Sequence, residues 1–121
     1  MNLFRNASEA VLIVAGAEIC RQGEMGNTMF AIADGTVEII RDGRILETLG
    51  PGEFFGEMSL IDHTPRSATA RAKTDCRIVT IDEKRFGFMV QQTPFFALEM
   101  IRTLVKRLRH RLEEQDRPPP A

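Results

Sequence analysis

The chain has no tryptophan, no tyrosine, only two cysteines and two histidines among its 121 residues, and each shortage removes a class of protein. Without Trp or Tyr, the stacking platforms of a single-strand nucleic-acid binder would have to be built from eight Phe alone, and no stretch arranges them that way. No segment approaches the roughly 20 consecutive apolar residues that a membrane span requires. A formal net charge of −1 argues against binding nucleic-acid phosphates by bulk electrostatics. Any anion this chain takes must be held locally. Cys20 and Cys76 lie far apart in apolar, strand-like surroundings without CxxC spacing, which reads as buried reduced thiols rather than metal ligands. His63 and His110 are also far apart, whereas a metal-dependent site needs a histidine cluster with a carboxylate. Ser59 and Ser67 have no histidine partner at recognisable spacing, and neither cysteine has an activator. Neither metal, cofactor nor catalysis is expected. Residues 1–9 lack the charged start, apolar stretch and small-residue cleavage site of an export signal, so the cytoplasm is the expected location.

What is present suits one folded domain. A chain of this length with 43% hydrophobic and 27% charged residues has the composition of an ordinary globular protein. From residue 10 to residue 81, turn residues recur at short intervals: Gly16, Gly23, Gly26, Asp34-Gly35, Asp42-Gly43, Gly50-Pro51-Gly52 and Thr64-Pro65. That spacing predicts short antiparallel strands in a barrel or sandwich. Asp42-Gly43 separates strands at 37–41 and 44–49, because a two-residue Asp-Gly loop supplies the positive φ angles of a tight hairpin. Further strands are expected at 11–14, 29–33, 68–72 and 76–81, all in one antiparallel shell. After Ile81 the period changes. Phe86, Met89 and Val90 recur at helical spacing behind Asp82, predicting a helix over about 82–92. Thr93-Pro94 then opens a second helix, over about 94–115, since proline's missing N–H costs nothing in a first turn. Its apolar stripe is Ala97, Ile101, Leu104, Val105, Leu108 and Leu112, with Arg102, Lys106 and Arg109 on a solvated face. Residues 116–121 read as a disordered tail, leaving a single domain over 1–115.

One segment carries chemistry: Phe54-Phe55-Gly56-Glu57-Met58-Ser59-Leu60-Ile61, followed by Pro65-Arg66-Ser67-Ala68-Thr69. It resembles the phosphate-binding cassette of cyclic nucleotide-binding domains, as found in bacterial catabolite-activator relatives, kinase regulatory subunits and cyclic nucleotide-gated channels. The resemblance extends through Ala15-Gly16-Ala17-Glu18-Ile19, Gly23-Glu24-Met25-Gly26, Gly35-Thr36-Val37, Leu49-Gly50-Pro51-Gly52 and Arg71-Ala72-Lys73-Thr74-Asp75-Cys76, nearly the whole chain. It implies a mainly β fold with C-terminal helices: an antiparallel, jelly-roll-like β-roll (a double-stranded β-helix) with a short helix inside the cassette and two helices after it.

The residue types suit such a ligand on chemical grounds. A cyclic phosphodiester carries one negative charge beside a ribose 2′-hydroxyl. Gly56 lets the backbone come close, and a helical turn over 58–61 would aim the free N–H groups of Glu57, Met58 and Ser59 at the phosphate. Arg66 offers a permanently charged planar fork to the exocyclic oxygens. Glu57 is an acceptor for the 2′-hydroxyl, and Ser67 can add a hydroxyl bond to phosphate or base. Ile39 and Leu46 stand where relatives pack apolar side chains beside the base. A bare Glu57–Arg66 pair would read as a surface salt bridge worth about 0–1 kcal/mol; its setting within both motifs favours binding.

The sequence departs from the family pattern in three places. No helix-turn-helix follows the long helix, so direct DNA recognition is not expected, and the basic cluster Lys106, Arg107, Arg109, Arg111 reads as a solvated face beside Glu113, Glu114 and Asp116. Most of the helix that precedes the roll in relatives is missing. The Thr-Ser pair that contacts adenine in bacterial activators is replaced by Arg109-His110-Arg111-Leu112, where a stacked arginine or a leucine cap could serve. Cyclic AMP is the expected ligand, with cyclic GMP the other candidate. The expected role is a sensor in which ligand repositions the long helix toward a protein partner, or a second copy, through Ile101, Leu104, Leu108 and Leu112. The competing reading is a ligand-free roll used as a protein-interaction domain. A third is a piece of a longer channel or kinase, although Met1 and the Pro-rich tail read as natural ends.

Overall fold

A computed structural model describes residues 2–115, and side chains as far as Glu113; the tail expected at 116–121 lies outside the described residues. The chain divides into two compact units, residues 1–83 and the segment from Lys84 onward. The first contains eight strands: β1 (Val11–Ile13), β2 (Glu18–Cys20), β3 (Met29–Asp34), β4 (Val37–Arg41), β5 (Arg44–Leu49), β6 (Phe54–Phe55), β7 (Thr69–Ala72) and β8 (Cys76–Ile81), with α1 (Glu57–Asp62) between β6 and β7.

The strands make two four-stranded sheets, in the orders β1-β8-β3-β6 and β2-β7-β4-β5, with antiparallel pairing throughout. The single shell expected from the turn spacing is therefore split. The physical cause is a corner where the chain changes sheet twice. Between β3 and β4 it turns at Gly35, whose φ of +92° is left-handed, and a Cβ there would collide with the Asp75 carbonyl and stand 2.7 Å from Cys76 Sγ. Only glycine fits. Between β7 and β8 the chain passes the same corner, where Lys73 N–H donates to the Thr36 carbonyl (2.8 Å) and Thr36 N–H donates to Thr74 Oγ1 (3.0 Å). Each crossing thus supplies a hydrogen-bond partner to the other, which ties the two strand changes together at one corner.

The hairpin forms as the sequence predicts: Asp42 and Gly43 take φ of +52° and +78°, and Arg41 pairs with Arg44. The ladder slips by one residue at Ile39/Ile40. β2 and β6 were not expected, being three and two residues long, too short to show an alternation. Between the sheets, Cys20, Phe30, Ile32, Val37, Leu49, Phe55, Ala70, Ala72, Cys76 and Ile78 form the core. Burying each large member is worth about 1.5–3 kcal/mol. Both cysteines are free thiols in this core.

In the second unit, Thr93 N–H donates to the Met89 carbonyl (2.8 Å), closing α2 (Glu83–Gln92), and Phe96 N–H returns to the Thr93 carbonyl (2.9 Å), opening α3 (Pro94–Gln115). Phe86 and Phe96 meet edge to face at 6.0 Å. At 22 residues α3 is about 33 Å long. Its predicted stripe divides: Ala97 and Leu104 are half-buried, while Ile101, Val105, Leu108 and Leu112 are exposed together with Leu98. Among the described residues no helix is long and apolar enough to cross a membrane.

Candidate anion-binding site

The site begins where β6 ends. Gly56, at φ 80° and ψ 12°, is the N-cap of α1, and a Cβ on it would lie 2.8 Å from Arg66 Nη1 and 3.3 Å from the Phe30 ring. The left-handed turn and the crowding both demand glycine. The predicted helical turn at 58–61 is one residue longer at each end. It stops at His63, which takes φ 54° and returns its N–H to the Ser59 carbonyl (2.9 Å). Ser59 is buried, and its hydroxyl donates to the Thr64 carbonyl at 2.9 Å. That hydroxyl braces the cassette, so what Ser59 can offer a ligand is its N–H, one of the first-turn groups without a partner inside the helix.

Arg66 is fixed at both ends. Its N–H donates to the Glu24 carbonyl and its carbonyl accepts from Gly23 N–H, each at 2.8 Å, and Met25 bridges Pro65 alongside. The glycine loop over 23–26 is thereby zipped to the cassette. The side chain then turns inward and is only 7% exposed. Nη1 donates to the Thr28 carbonyl (2.6 Å) and the Gly56 carbonyl (3.2 Å), and Nη2 donates to Thr28 Oγ1 (2.9 Å). Cζ sits 5.0 Å from the centroid of the Phe30 ring, which is itself stacked on Phe55 at 5.2 Å. Gly26 leaves the guanidinium its space, since a Cβ there would run into Nε and stand 2.6 Å from Cζ. A buried guanidinium must be compensated. Here carbonyl and hydroxyl dipoles and an aromatic face do that without cancelling its charge, and the field reaches the core: burial pushes the Cys20 thiol up, while Arg66 pulls against that rise.

The remaining predicted residues are distributed unevenly. Glu57 is half-buried at the first position of α1, Met58 is half-exposed beside it, and Ser67 is exposed after Arg66. Gly56, Glu57, Met58, Ser59, Arg66 and Ser67 thus belong to one continuous cassette. Ile39 packs against the core, but the residue opposite it on β5 is Glu47; Leu46 falls at the register slip and is 53% exposed. Ile39 and Leu46 are on neighbouring strands as expected, one packed against the core and the other exposed. Sequence reasoning gave no role to Thr28 or Phe30. Gly26 had a signal, its place in the glycine loop, but nothing in the sequence announces that residue 28 touches residue 66.

Elsewhere, a cleft of about 500 Å³ is lined by Asn2, Arg5, Asn6, Asp34 and Arg77 among others. Arg77 donates there to the carbonyls of Arg5 (3.1 Å) and Ala7 (3.0 Å), so its guanidinium tethers the N-terminal segment. Among the described residues no group of three or more His, Cys, Asp or Glu is placed to hold a metal ion.

Two packed sheets with a caged arginine beside a glycine-capped helical turn define a β-roll with a candidate anion-binding site. Residues 11–93 match the family model described as "Cyclic nucleotide-binding domain", and the chain belongs to that family. It is 39% identical over 83 residues to the cAMP-dependent protein kinase regulatory subunit of Schizosaccharomyces pombe, covering 68% of this chain and 20% of that one. The catabolite activator protein of Thermus thermophilus superposes with a TM-score of 0.79 at 35% identity, over 88% of this chain and 53% of that one. A chain from a cyclic-GMP-dependent signalling pathway in bacterial phytopathogenesis gives 0.70 at 32% identity, over 84% of each. The kinase regulatory subunits, channels and receptor among the curated relatives are longer proteins, of which this chain spans between 18% and 46%.

Proposed function

We propose that this chain is a regulatory module that binds a cyclic nucleotide, cyclic AMP in preference to cyclic GMP, and transmits occupancy through α3. The observation that carries the reading is Arg66. It is buried and held by neutral acceptors, and it keeps two N–H groups beyond its three hydrogen bonds. A monoanionic phosphodiester supplies the missing charge and acceptors. In this reading Arg66 takes exocyclic oxygens, and the N–H groups of Glu57, Met58 and Ser59 take another edge of the phosphate. The Glu57 carboxylate takes the ribose 2′-hydroxyl, the Ser67 hydroxyl adds a hydrogen bond to phosphate or base, and Ile39 and Leu46 flank the base. Residues 1–115 act as one domain, in the cytoplasm and without catalysis. The output surface is the exposed row Ile101, Val105, Leu108 and Leu112, facing a protein partner or a second copy rather than DNA or a membrane.

The test is calorimetric titration of cyclic AMP and cyclic GMP into full chain unfolded and refolded to strip carried-over nucleotide. Saturable binding that Arg66→Ala weakens by about 1.5–3 kcal/mol is the expected result. No heat with either nucleotide at millimolar concentration would leave the ligand-free interaction domain as the better reading.

A further inference from the structure

We infer that Thr28 is a positioning residue for Arg66, orienting the guanidinium so that one edge faces the ligand; the inference rests on the cyclic-nucleotide reading above. A guanidinium has five N–H groups. Both hydrogens of Nη1 are taken, by the carbonyls of Thr28 and Gly56, and one hydrogen of Nη2 is taken by Thr28 Oγ1. What remains is Nε–H and the second Nη2–H. Those two lie side by side on one edge, the spacing that meets two oxygens of one phosphate or carboxylate.

Thr28 decides which edge is left over because it holds the opposite end with two acceptors, its carbonyl at 2.6 Å and its hydroxyl at 2.9 Å. Any residue at 28 supplies the carbonyl. Only a hydroxyl side chain adds the second, which stops the group from rotating about the Nη1 bonds. Phe30 supports the guanidinium at 5.0 Å from its ring centroid, and Gly26 leaves room beside Nε that any side chain would fill. Preorganisation of this kind raises affinity because the ligand does not have to order the arginine itself.

The experiment is cyclic AMP titration of stripped full chain as wild type, Thr28→Val and Thr28→Ser, together with ¹⁵N spectra of the Arg66 Nε–H. Thr28→Val keeps shape and carbonyl and should weaken binding about tenfold or more, the scale of one lost hydrogen bond to a charged group. Thr28→Ser restores the hydroxyl and should bind within about twofold of wild type. In wild type and Thr28→Ser, the Nε–H resonance should move downfield on nucleotide addition. Equal affinity in all three proteins overturns the role of Thr28 while leaving nucleotide binding in place, as does an Nε–H that does not respond to bound nucleotide. If Thr28→Val fails to fold, Thr28→Ala, which also keeps the carbonyl and lacks the hydroxyl, takes its place with the same expected loss, and the wild-type Nε–H response stands as an independent test. Wild type that binds neither cyclic AMP nor cyclic GMP overturns both this inference and the reading beneath it.

Discussion

At the residue scale, this molecule turns on how a buried cation is compensated. Arg66→Ala removes the charge and should cost about 1.5–3 kcal/mol of nucleotide binding, while Arg66→Lys should recover little, since an ammonium cannot hold Thr28 and Gly56 and still present a two-pronged edge. Calorimetry on both variants checks this. Glu57→Gln should narrow the preference for cyclic AMP over its 2′-deoxy analogue, because the amide is a poorer acceptor; equal narrowing by a substitution at the exposed Ser67 would remove Glu57 from that role. The cysteines give a pH prediction. Burial raises the thiol pKa of Cys20 and of Cys76, in each case as the leading cause. A raised folded pKa means that the unfolded chain loses these protons first. Their contribution to stability is therefore complete below the ordinary thiol value and is lost as pH rises through the folded one. Thermal melts across the alkaline range should show Tm falling more steeply in wild type than in a Cys20→Ala, Cys76→Ala double variant.

At the element scale, the sheet-switching corner and the β4–β5 hairpin make different demands on glycine. Gly35→Ala must accept φ of +92° as well as collision with the Asp75 carbonyl and Cys76, so it should destabilise by more than the roughly 1–2 kcal/mol of the left-handed conformation alone. Gly43→Ala has the same conformational problem at φ +78° but meets nothing within 4 Å, and should cost about that conformational amount. Urea denaturation of the two variants measures the difference; equal losses would mean that the corner relaxes freely. The hairpin was legible in the sequence because Asp42-Gly43 is a local signal. The division into two sheets was not, since the partners of residues 34–36 lie some forty positions away in the chain. The six-residue α1 was legible to within one residue at each end, as Gly56 and the following motif are contiguous.

At the scale of the whole molecule, α3 carries an exposed row, Leu98, Ile101, Val105, Leu108 and Leu112, with alternating steps of three and four. That spacing is the seam of a helix pair. If the row is the output surface, light scattering should show a mass or partner dependence that Leu108→Glu removes while nucleotide affinity stays within a few-fold. Unchanged mass with and without nucleotide, together with unchanged protease sensitivity of α3, would separate ligand binding from any switch in this helix.

The sequence by itself determined the turn-punctuated β-fold, the helices after Ile81 and the cassette from Gly56 to Ser67, since each is written in neighbouring residues as turn chemistry, period or motif. Only the tertiary structure decided that Leu46 is not opposite Ile39, because a one-residue slip in the ladder puts Glu47 there. It also decided that Thr28, Gly26 and Phe30 surround Arg66. Those contacts form when β3 and the cassette are brought together across nearly forty residues, and the energy of a buried guanidinium depends on what surrounds it in space, which no local pattern records.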